Sequence, residues 1–282
     1  MRLLHGRPLA ERLAARSRER SDALRGRDIH PEVAAISVGI DPAANTYLQR
    51  LARGGRALGI AVRDVSLSRD ASEQSVMAEL DRASRDRSLH GVLLLTPLPG
   101  KLDEGHLVDH IAPEKDIEGV NPYNVGLLLD GRPRFVPSTA EAIIELLRFH
   151  QVALAGVDVV IVGRSTVVGR PAAALLLNED ATVTIAHKRT TDIGAVTRRG
   201  AVVVVAVGRA GFLTGDMIAP GAIVVDAGIN MTPAGIAGDV DADSVASVAG
   251  ALSPVPGGVG TVTTALLLRN VLTAAETQTA GG

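Results

Sequence analysis

Tyr47, one of only two tyrosines in the chain, lies in the stretch NTYLQRLARGG, whose pattern predicts the opening turns of a helix. Residues four apart share one face of a helix, so position 51 is where a catalytic partner of the tyrosine is expected. That position is Leu51, which has no proton to exchange. Proton transfer on this helix face would therefore need a group from another part of the chain.

Few other side chains offer reactive groups. The 282 residues include no cysteine, which excludes disulfides, thiolate catalysis and a cysteine-based zinc site. The only lysines are Lys101, Lys115 and Lys188. Among the seven histidines, only His106 and His110 have the spacing of metal ligands on a helix, and no third ligand is evident. We therefore predict no metal site.

The composition argues against several classes of protein. A formal net charge of −2 disfavours a nucleic-acid surface, and an aromatic content of 2% disfavours a base-stacking platform. No apolar run reaches the ~18 residues that a membrane helix needs, and the N-terminus lacks the apolar core of a signal peptide. We expect a cytoplasmic protein that binds neither nucleic acid nor membrane.

Short apolar runs alternate with amphipathic stretches along the chain, which predicts an α/β fold with βα units around a mostly parallel sheet. The turn-rich segment 120–137 is expected to separate two lobes. The predicted strands are 33–39, 60–67, 91–99, 156–163, 181–187, 201–208 and 222–229. The predicted helices are 42–59, with Asp41 or Asn45 near its start, 72–84, 104–111, 139–152, 167–179 and 261–276.

The segment VVIVGRSTVVGRPAAALLL predicts a strand, a glycine-bracketed turn and a helix. Backbone N–H groups and the helix dipole at such a helix start favour a phosphate. The turn contains Gly163, Arg164, Ser165 and Gly169, but its order is not the standard G-x-G-x-x-G of dinucleotide folds. A turn whose glycines only allow close packing is the alternative.

The following strand ends in His187, Lys188 and Arg189, at the place where a Rossmann fold meets the adenosine ribose. An acidic residue there is typical of NAD enzymes, whereas a cation suits the 2′-phosphate of NADP. We therefore predict NADP, with His187 touching the nucleotide. A solvated basic loop remains the other interpretation.

Three further glycine-rich segments lie where ligands bind in open α/β sheets, at the carboxyl ends of strands or before a helix. AVGRAGFLTG contains Gly208. DAGINMTP contains Ile229, at the end of the predicted strand 222–229. SPVPGGVGTVTT has stiff prolines before a bare backbone and a predicted helix start at 261–263, suited to a flat ligand. Its candidate residues are Pro256, Gly257, Gly258 and Thr263. A structural loop with a threonine N-cap is the alternative.

Taken together, these segments resemble one family, the bifunctional methylenetetrahydrofolate dehydrogenase/methenyltetrahydrofolate cyclohydrolases (FolD). The motifs GIDPAANTYLQRLARGGRALGI, GVLLLTPLP and PEKDIEGVNPYNVGLLL are similar to those of its first lobe. The glycine-bracketed turn, ATVTIAHKRT, GAIVVDAGIN, GDVD and PVPGGVGTVT are similar to those of its nucleotide lobe and folate edge. The resemblance runs in the same order from about residue 4 to 273.

The resemblance implies a homodimer of two-lobed chains in one-carbon metabolism. The catalytic lobe would be 1–137 plus 262–282, including a C-terminal helix that returns to it, and the Rossmann-type NADP lobe would be 138–261. Hydride would move from methylenetetrahydrofolate to NADP, and water would then add to the methenyl cation. The implied substrate contacts are Tyr47, Glu118, Pro256, Gly257 and Gly258; the implied cofactor contacts are Gly163, Arg164, Ser165, Gly169, His187, Lys188, Gly208, Ile229 and Thr263.

The sequence departs from the family pattern at three polar positions of the first lobe. The family's helix has Tyr-x-x-x-Lys, with that lysine handling the proton of the hydrolytic step, and Leu51 stands in the lysine position here. The family's Gln-Leu-Pro-Leu-Pro is LTPLP here, so that Leu95 replaces the glutamine that assists the lysine and Thr96 follows it. The aspartate that grips the pterin is Glu118 here, which is one methylene longer.

Water attack on a methenyl cation needs a group that shuttles a proton, whereas hydride transfer mainly needs positioning. We therefore expect an NADP-dependent dehydrogenase whose cyclohydrolase activity is lost or very weak, with Tyr47 as a candidate catalytic residue. Two alternatives stay open. One is a divergent paralogue acting on a non-folate imine or iminium compound, and the other is a non-catalytic nucleotide- or folate-binding protein.

Overall fold

The computed structural model of the protein describes residues 1–39, 41–100, 102–233 and 235–280. In chain order its elements are β1 (Arg2–Leu3), α1 (Arg7–Arg25), β2 (Glu32–Val38), α2 (Pro42–Leu58), β3 (Ala61–Leu67), α3 (Glu73–Arg85), β4 (Gly91–Leu94), α4 (Glu104–Val108), α5 (Pro122–Leu129), α6 (Ser138–Phe149), β5 (Asp158–Val162), α7 (Gly169–Leu177), β6 (Thr182–Ala186), α8 (Ile193–Thr197), β7 (Val202–Val205), β8 (Ile223–Asp226), β9 (Asn230–Thr232), β10 (Gly235–Ala237), α9 (Ala242–Ala246), β11 (Ala251–Leu252) and α10 (Val259–Thr279).

The chain forms two compact units. The three-stranded unit comprises Arg12–Val136 with Thr264–Gly282, and the six-stranded unit comprises Met1–Glu11 with Pro137–Thr263. Residues 1–11 were expected in the catalytic lobe, but β1 pairs with β11, so the structure groups them with the six-stranded unit. None of the described helices is long and apolar enough to cross a membrane.

The three-stranded unit is built on a parallel sheet in the order β3-β2-β4. Parallel pairing brings the carboxyl ends of all three strands to one edge, from which α2 leaves after β2. The Asp41 side chain accepts a hydrogen bond from the Ala44 N–H at 2.9 Å, which stabilises the start of α2. Of the two residues predicted near this start, Asp41 is therefore the one that caps it.

Helix α10 supplies much of the core of the three-stranded unit. Its Leu267 and Leu272 are fully buried in one cluster with Val33 and Ala35 of β2. Their burial removes a continuous apolar helix face from water, at about 1.5–3 kcal/mol per large side chain. The part of α10 from Thr264 onward thus packs against the elements that carry Tyr47, as the predicted return of this helix requires.

The six-stranded unit has an all-parallel sheet in the order β1-β11-β8-β7-β5-β6. The chain goes from β5 outward to β6 and then crosses back to β7 on the other side of β5. The strand order therefore reverses between β5 and β7, which is the place where open α/β sheets bind ligands at the carboxyl ends of their strands.

Three sequence-based expectations are corrected here. The turn-rich segment 120–137 contains α5, because Asn121 caps it through the Tyr123 N–H and Pro122 fits its first turn. The final helix begins at Val259 rather than at 261–263, and the Thr263 hydroxyl donates to the Gly260 carbonyl inside it instead of capping it. The helix α1 and the short elements β1, α8, β9, β10, α9 and β11 were not predicted.

Candidate active site

Leu51 and Leu95 both belong to the apolar core of the three-stranded unit. Leu51 lies on α2, one helical turn after Tyr47, and is fully buried, while Leu95 follows β4 and is 5% exposed. Both residues lie in one hydrophobic cluster, and the partly buried Tyr47 packs against it. The face of α2 that begins with Tyr47 therefore meets an apolar surface and carries no base at position 51.

Tyr47 is a poor proton donor in this setting. Burial raises the pKa of its hydroxyl above the ordinary value, and the negative charge of Glu118 raises it further, while Arg50 opposes the shift. The hydroxyl thus stays protonated across the physiological range. The Coulombic effect also means that Glu118 lies close enough to Tyr47 for their charges to interact.

Glu118 is a half-buried carboxyl group beside the same cluster, directly after the fully buried Ile117. Burial raises its pKa to about 8, and the nearby charges of Asp116 and Glu104 contribute to the shift. Within the described ranges no hydrogen bond or ion pair reaches its carboxylate. A carboxyl group that is half withdrawn from water and has no donor can accept hydrogen bonds from a ligand, and such bonds would favour its ionised form.

The neighbouring Asp116 has a different role, because the protein itself supplies the hydrogen-bond donors to its carboxylate. Its fully buried carboxylate accepts hydrogen bonds from the backbone N–H groups of residues 119, 120 and 121, at 2.8–3.2 Å, and from Asn124 Nδ2 at 2.8 Å. These bonds fix the turn that presents Glu118. Sequence reasoning missed Asp116, although an aspartate two residues before the candidate and followed by Gly119 was a visible signal.

Neither of the two described lysines replaces the missing base. Lys101 lies outside the described residues. Lys115 is buried and donates to the Asp86 carbonyl at 2.6 Å, near the start of β4 rather than its carboxyl end. Burial lowers the pKa of Lys115, but its side chain is held near the amino end of β4, whereas Leu95 lies at the carboxyl end of that strand. Lys188 belongs to the six-stranded unit.

In the six-stranded unit, two glycines allow the turn after β5 to close tightly. A Cβ on Gly163 would come within 2.1 Å of the Ala206 carbonyl oxygen, and one on Gly169 within 2.3 Å of the Gly163 carbonyl oxygen. No side chain fits at either position, so the glycines are required by close packing. The same contacts leave an exposed backbone turn over the reversal point between β5 and β7, as a dinucleotide needs.

Ser165 and Arg164 have separate tasks in this turn. The Ser165 hydroxyl accepts hydrogen bonds from the N–H groups of Val168 at 3.1 Å and Gly169 at 3.4 Å, which stabilises the start of α7. Arg164 is exposed at the carboxyl end of β5 and makes no ion pair within the described part of the chain. Its guanidinium is available to a phosphate group.

The loop after β6 presents its cations to solvent. The His187 N–H donates to the Thr190 hydroxyl at 2.9 Å, and the His187 ring accepts from the Arg189 N–H at 3.2 Å. These bonds order the loop while the side chains of Lys188 and Arg189 stay exposed. Lys188 and Arg189, in the loop beside the glycine turn, fit a nucleotide that carries an additional phosphate on its ribose.

Two buried aspartates, which the sequence analysis left out of the site, hold the loops that carry Gly208 and Ile229. Asp239 accepts hydrogen bonds from the backbone of residues 207–209, and Asp226 accepts from the N–H groups of Gly228, Asp239 and Val240. Burial raises the pKa of Asp226 to about 6, with the charge of Asp239 adding to the effect. An aspartate in each of VVDAGIN and GDVD was the available signal.

The remaining predicted contacts lie near the start of α10. The Gly6 N–H donates to the Gly257 carbonyl at 2.8 Å, so the N-terminal residues brace this loop. Gly258 and Pro256 occupy the same loop, before α10 begins. Ile229 is 62% exposed after β8, which is unusual for a large apolar side chain and consistent with contact to a ligand or partner.

Comparison with known proteins assigns the chain to a family. Residues 4–118 match the model of the catalytic domain of tetrahydrofolate dehydrogenase/cyclohydrolase, and residues 137–279 match that of its NAD(P)-binding domain. The chain belongs to the tetrahydrofolate dehydrogenase/cyclohydrolase family. The bifunctional protein FolD of Nocardia farcinica is 48% identical over 97% of both chains.

Solved structures of this family confirm the two-domain α/β architecture. FolD from Campylobacter jejuni has a TM-score of 0.96 at 36% identity, covering 98% of this chain and 99% of that one. The Trypanosoma brucei enzyme complexed with NADP cofactor and inhibitor has a TM-score of 0.92 at 34% identity, covering 98% and 97%. The predicted family and fold class are thereby confirmed, and the match to an NAD(P)-binding domain agrees with the predicted oxidoreductase and its nicotinamide cofactor.

Replacing Glu118 by glutamine tests its titration. A carboxyl group whose pKa rises from 4.5 to about 8 on folding binds a proton more tightly in the folded state. Its contribution to stability is complete below about pH 4.5 and is lost as the pH rises through about 8. We expect the melting temperature of the wild type to fall relative to that of Glu118→Gln between pH 5 and 8.5.

The control is Glu114→Gln, the same substitution at an exposed position in the same segment. Its melting temperature should follow the wild type across the series. Parallel curves for the wild type and Glu118→Gln would contradict the burial argument.

Replacing Lys188 by alanine tests the cofactor preference. Loss of a charge-assisted bond to the 2′-phosphate is expected to raise KM for NADP by about 10–100-fold, with little effect on KM for NAD. Steady-state kinetics with both nucleotides measures this. Arg199→Ala serves as the control, because Arg199 is an exposed cation that precedes β7 and so lies at the amino ends of the strands, away from the loop with Lys188. An equal effect of both variants would refute the assignment.

Proposed function

We propose that the protein is an NADP-dependent methylenetetrahydrofolate dehydrogenase whose cyclohydrolase activity is lost or very weak. The observation that supports this most strongly is the apolar surface around Tyr47, where Leu51 and Leu95 lie in one buried cluster. Hydride transfer depends on holding two partners close together and needs little proton traffic. Hydrolysis depends on a proton-transferring group, which this surface does not offer.

The family supports the dehydrogenase half of the proposal. The Nocardia farcinica relative is named a bifunctional FolD protein, and the Trypanosoma brucei structure is described as a dehydrogenase-cyclohydrolase with NADP. The glycine turn, Arg164 and the exposed Lys188 fit the same cofactor here. When bound, NADP supplies the hydride acceptor.

Each predicted site residue then receives a role. Tyr47 would present its ring to the substrate, and Glu118 would accept hydrogen bonds from the N–H groups of the pterin. Pro256, Gly257 and Gly258 would offer bare backbone to the folate. The cofactor would be held by Gly163, Arg164, Ser165, Gly169, His187, Lys188, Gly208, Ile229 and Thr263.

Other groups near Tyr47 are poor replacements for the missing base. Arg50 lies on the same helix, but a guanidinium stays protonated in proteins. Glu118 has a pKa of about 8 in the free protein and is therefore the one described group near Tyr47 that titrates close to working pH. Pterin N–H donors would occupy its oxygens and keep it ionised, so in the complex it would bind substrate rather than move the proton of water.

The organisation of the protein is part of the proposal. We assign the substrate function to 1–137 plus 262–282, apart from residues 1–11, which belong to the six-stranded unit, and the NADP function to 138–261; we expect a homodimer. The reduction of a cyclic imine is a second candidate, because the Leu51–Leu95 surface is less polar than a methenyl cation and an attacking water require. Binding of tetrahydrofolate, measured by calorimetry, separates the two candidates.

Restoring a base tests the central element of this proposal. Leu51→Lys combined with Leu95→Gln is expected to raise methenyltetrahydrofolate hydrolysis at least tenfold, because general base catalysis contributes ~10²–10⁴-fold and the two new side chains should recover part of it. The dehydrogenase rate should change less. The measurement is spectrophotometric decay of methenyltetrahydrofolate, in the wild type and the variant, corrected for the uncatalysed reaction.

The matched control is Leu51→Met with Leu95→Met, which keeps the surface apolar and should leave hydrolysis at the wild-type level. Rapid hydrolysis by the wild type would overturn the proposal, and its loss in Glu118→Gln would then identify Glu118 as the base. Rapid hydrolysis by the wild type with no effect of Glu118→Gln would overturn it equally.

A further inference from the structure

We propose that Asp239 is a positioning residue that fixes the loop after β7 for the nicotinamide half of NADP. The inference rests on the proposed function, because NADP is the ligand concerned. It adds a residue that contacts the chain's own backbone rather than the cofactor.

The Asp239 carboxylate is fully buried and uses both of its oxygens. Oδ2 accepts hydrogen bonds from the N–H groups of Val207 at 2.6 Å and Gly208 at 2.9 Å. Oδ1 accepts from the Arg209 N–H at 2.8 Å and from Asn230 Nδ2 at 2.9 Å. Four donors thus converge on one anion, and none is a cationic side chain.

The loop has the form of an anion-binding concavity. Three successive N–H groups, from Val207 to Arg209, point to one place, and Gly208 has a φ of +67° in the left-handed region. Such backbone arrangements commonly hold a phosphate or another anion. Here the carboxylate of Asp239 occupies the concavity, so the loop is shaped by the protein itself before any ligand arrives.

The position of this loop connects it to the cofactor. It follows β7, on one side of the strand-order reversal, while the loop with Lys188 follows β6 on the other side of β5. In dinucleotide folds the adenosine ribose lies at the strand that carries the residue specific for its 2′ substituent, and the dinucleotide then crosses the reversal point. The nicotinamide half therefore falls on the side of β7.

The carboxylate of Asp226 holds the backbone of the segment that carries Asp239. Asp226, the last residue of β8, accepts from the N–H of Asp239 at 3.0 Å and from that of Val240 at 3.0 Å. Gly238 must be glycine for this approach, since a Cβ there would lie 1.8 Å from Asp226 Oδ2. The two carboxylates tie the ends of β7 and β8 to the segment after β10, and Asn230 connects β9 to the same point.

The distinguishing experiment compares a whole cofactor with a fragment of it. NADP contains both halves, whereas adenosine 2′,5′-bisphosphate contains only the half expected beside Lys188. If Asp239 positions the loop at the nicotinamide side, Asp239→Asn should weaken NADP by about tenfold or more and change fragment binding less than about twofold. Dissociation constants are measured by calorimetry on the full chain.

Two further variants complete the test. Asn230→Ala removes one of the four donors and should weaken NADP in the same direction by a smaller factor, which decides the matter if Asp239→Asn does not fold. Asp241→Asn is the matched control, because this aspartate only caps α9 through the Ser244 N–H, and asparagine caps equally well. It should bind both ligands as the wild type does.

The outcomes are separable. Selective loss of NADP affinity supports the inference. Unchanged affinity for both ligands, or an equal loss for both, overturns it, since equal loss indicates a general structural role. Failure of the wild type to bind either ligand would instead contradict the proposed NADP function.

Discussion

Backbone N–H groups that converge on buried aspartates hold the loops beside the candidate site residues in both units of this protein. Asp116 gathers three of them in the three-stranded unit, and Asp226 and Asp239 gather three each in the six-stranded unit. A buried carboxylate is costly unless it is hydrogen-bonded, and leaving either partner unpaired costs about 1–3 kcal/mol or more. These loops are therefore held in one arrangement, and the residues next to them are held with them.

Glu118 is informative because it breaks this rule. It lies two residues from Asp116, yet within the described ranges no donor reaches it, and its pKa rises accordingly. A carboxylate left in that condition is explained if a ligand supplies the donors. Leu51 and Leu95, by contrast, need no ligand to complete their contacts, because both are packed in the core. The site thus combines one unsatisfied acceptor with an apolar wall, which suits binding and hydride transfer better than proton transfer.

Much of the architecture could be predicted from the sequence because its signals are local. The buried strands of the six-stranded sheet, such as β5 and β7, are runs of valine and isoleucine, and the glycines of the turn at Gly163 are visible as letters. Pairings between distant segments could not be predicted. The joining of β1 to β11, and the convergence of residues 207–209 on Asp239, depend on contacts between segments about 30 or more residues apart, for which periodicity gives no signal.

The measurement that tests the account most directly follows the fate of the folate in a single reaction. Purified protein is given methylenetetrahydrofolate and NADP, and both NADPH formation and the fraction of oxidised folate that remains unhydrolysed are recorded. The account predicts NADPH formation with methenyltetrahydrofolate accumulating in nearly equal amount, apart from its uncatalysed hydrolysis. NADPH formation with immediate hydrolysis of the product would contradict it, because the surface formed by Leu51 and Leu95 offers no group to transfer the proton that hydrolysis requires.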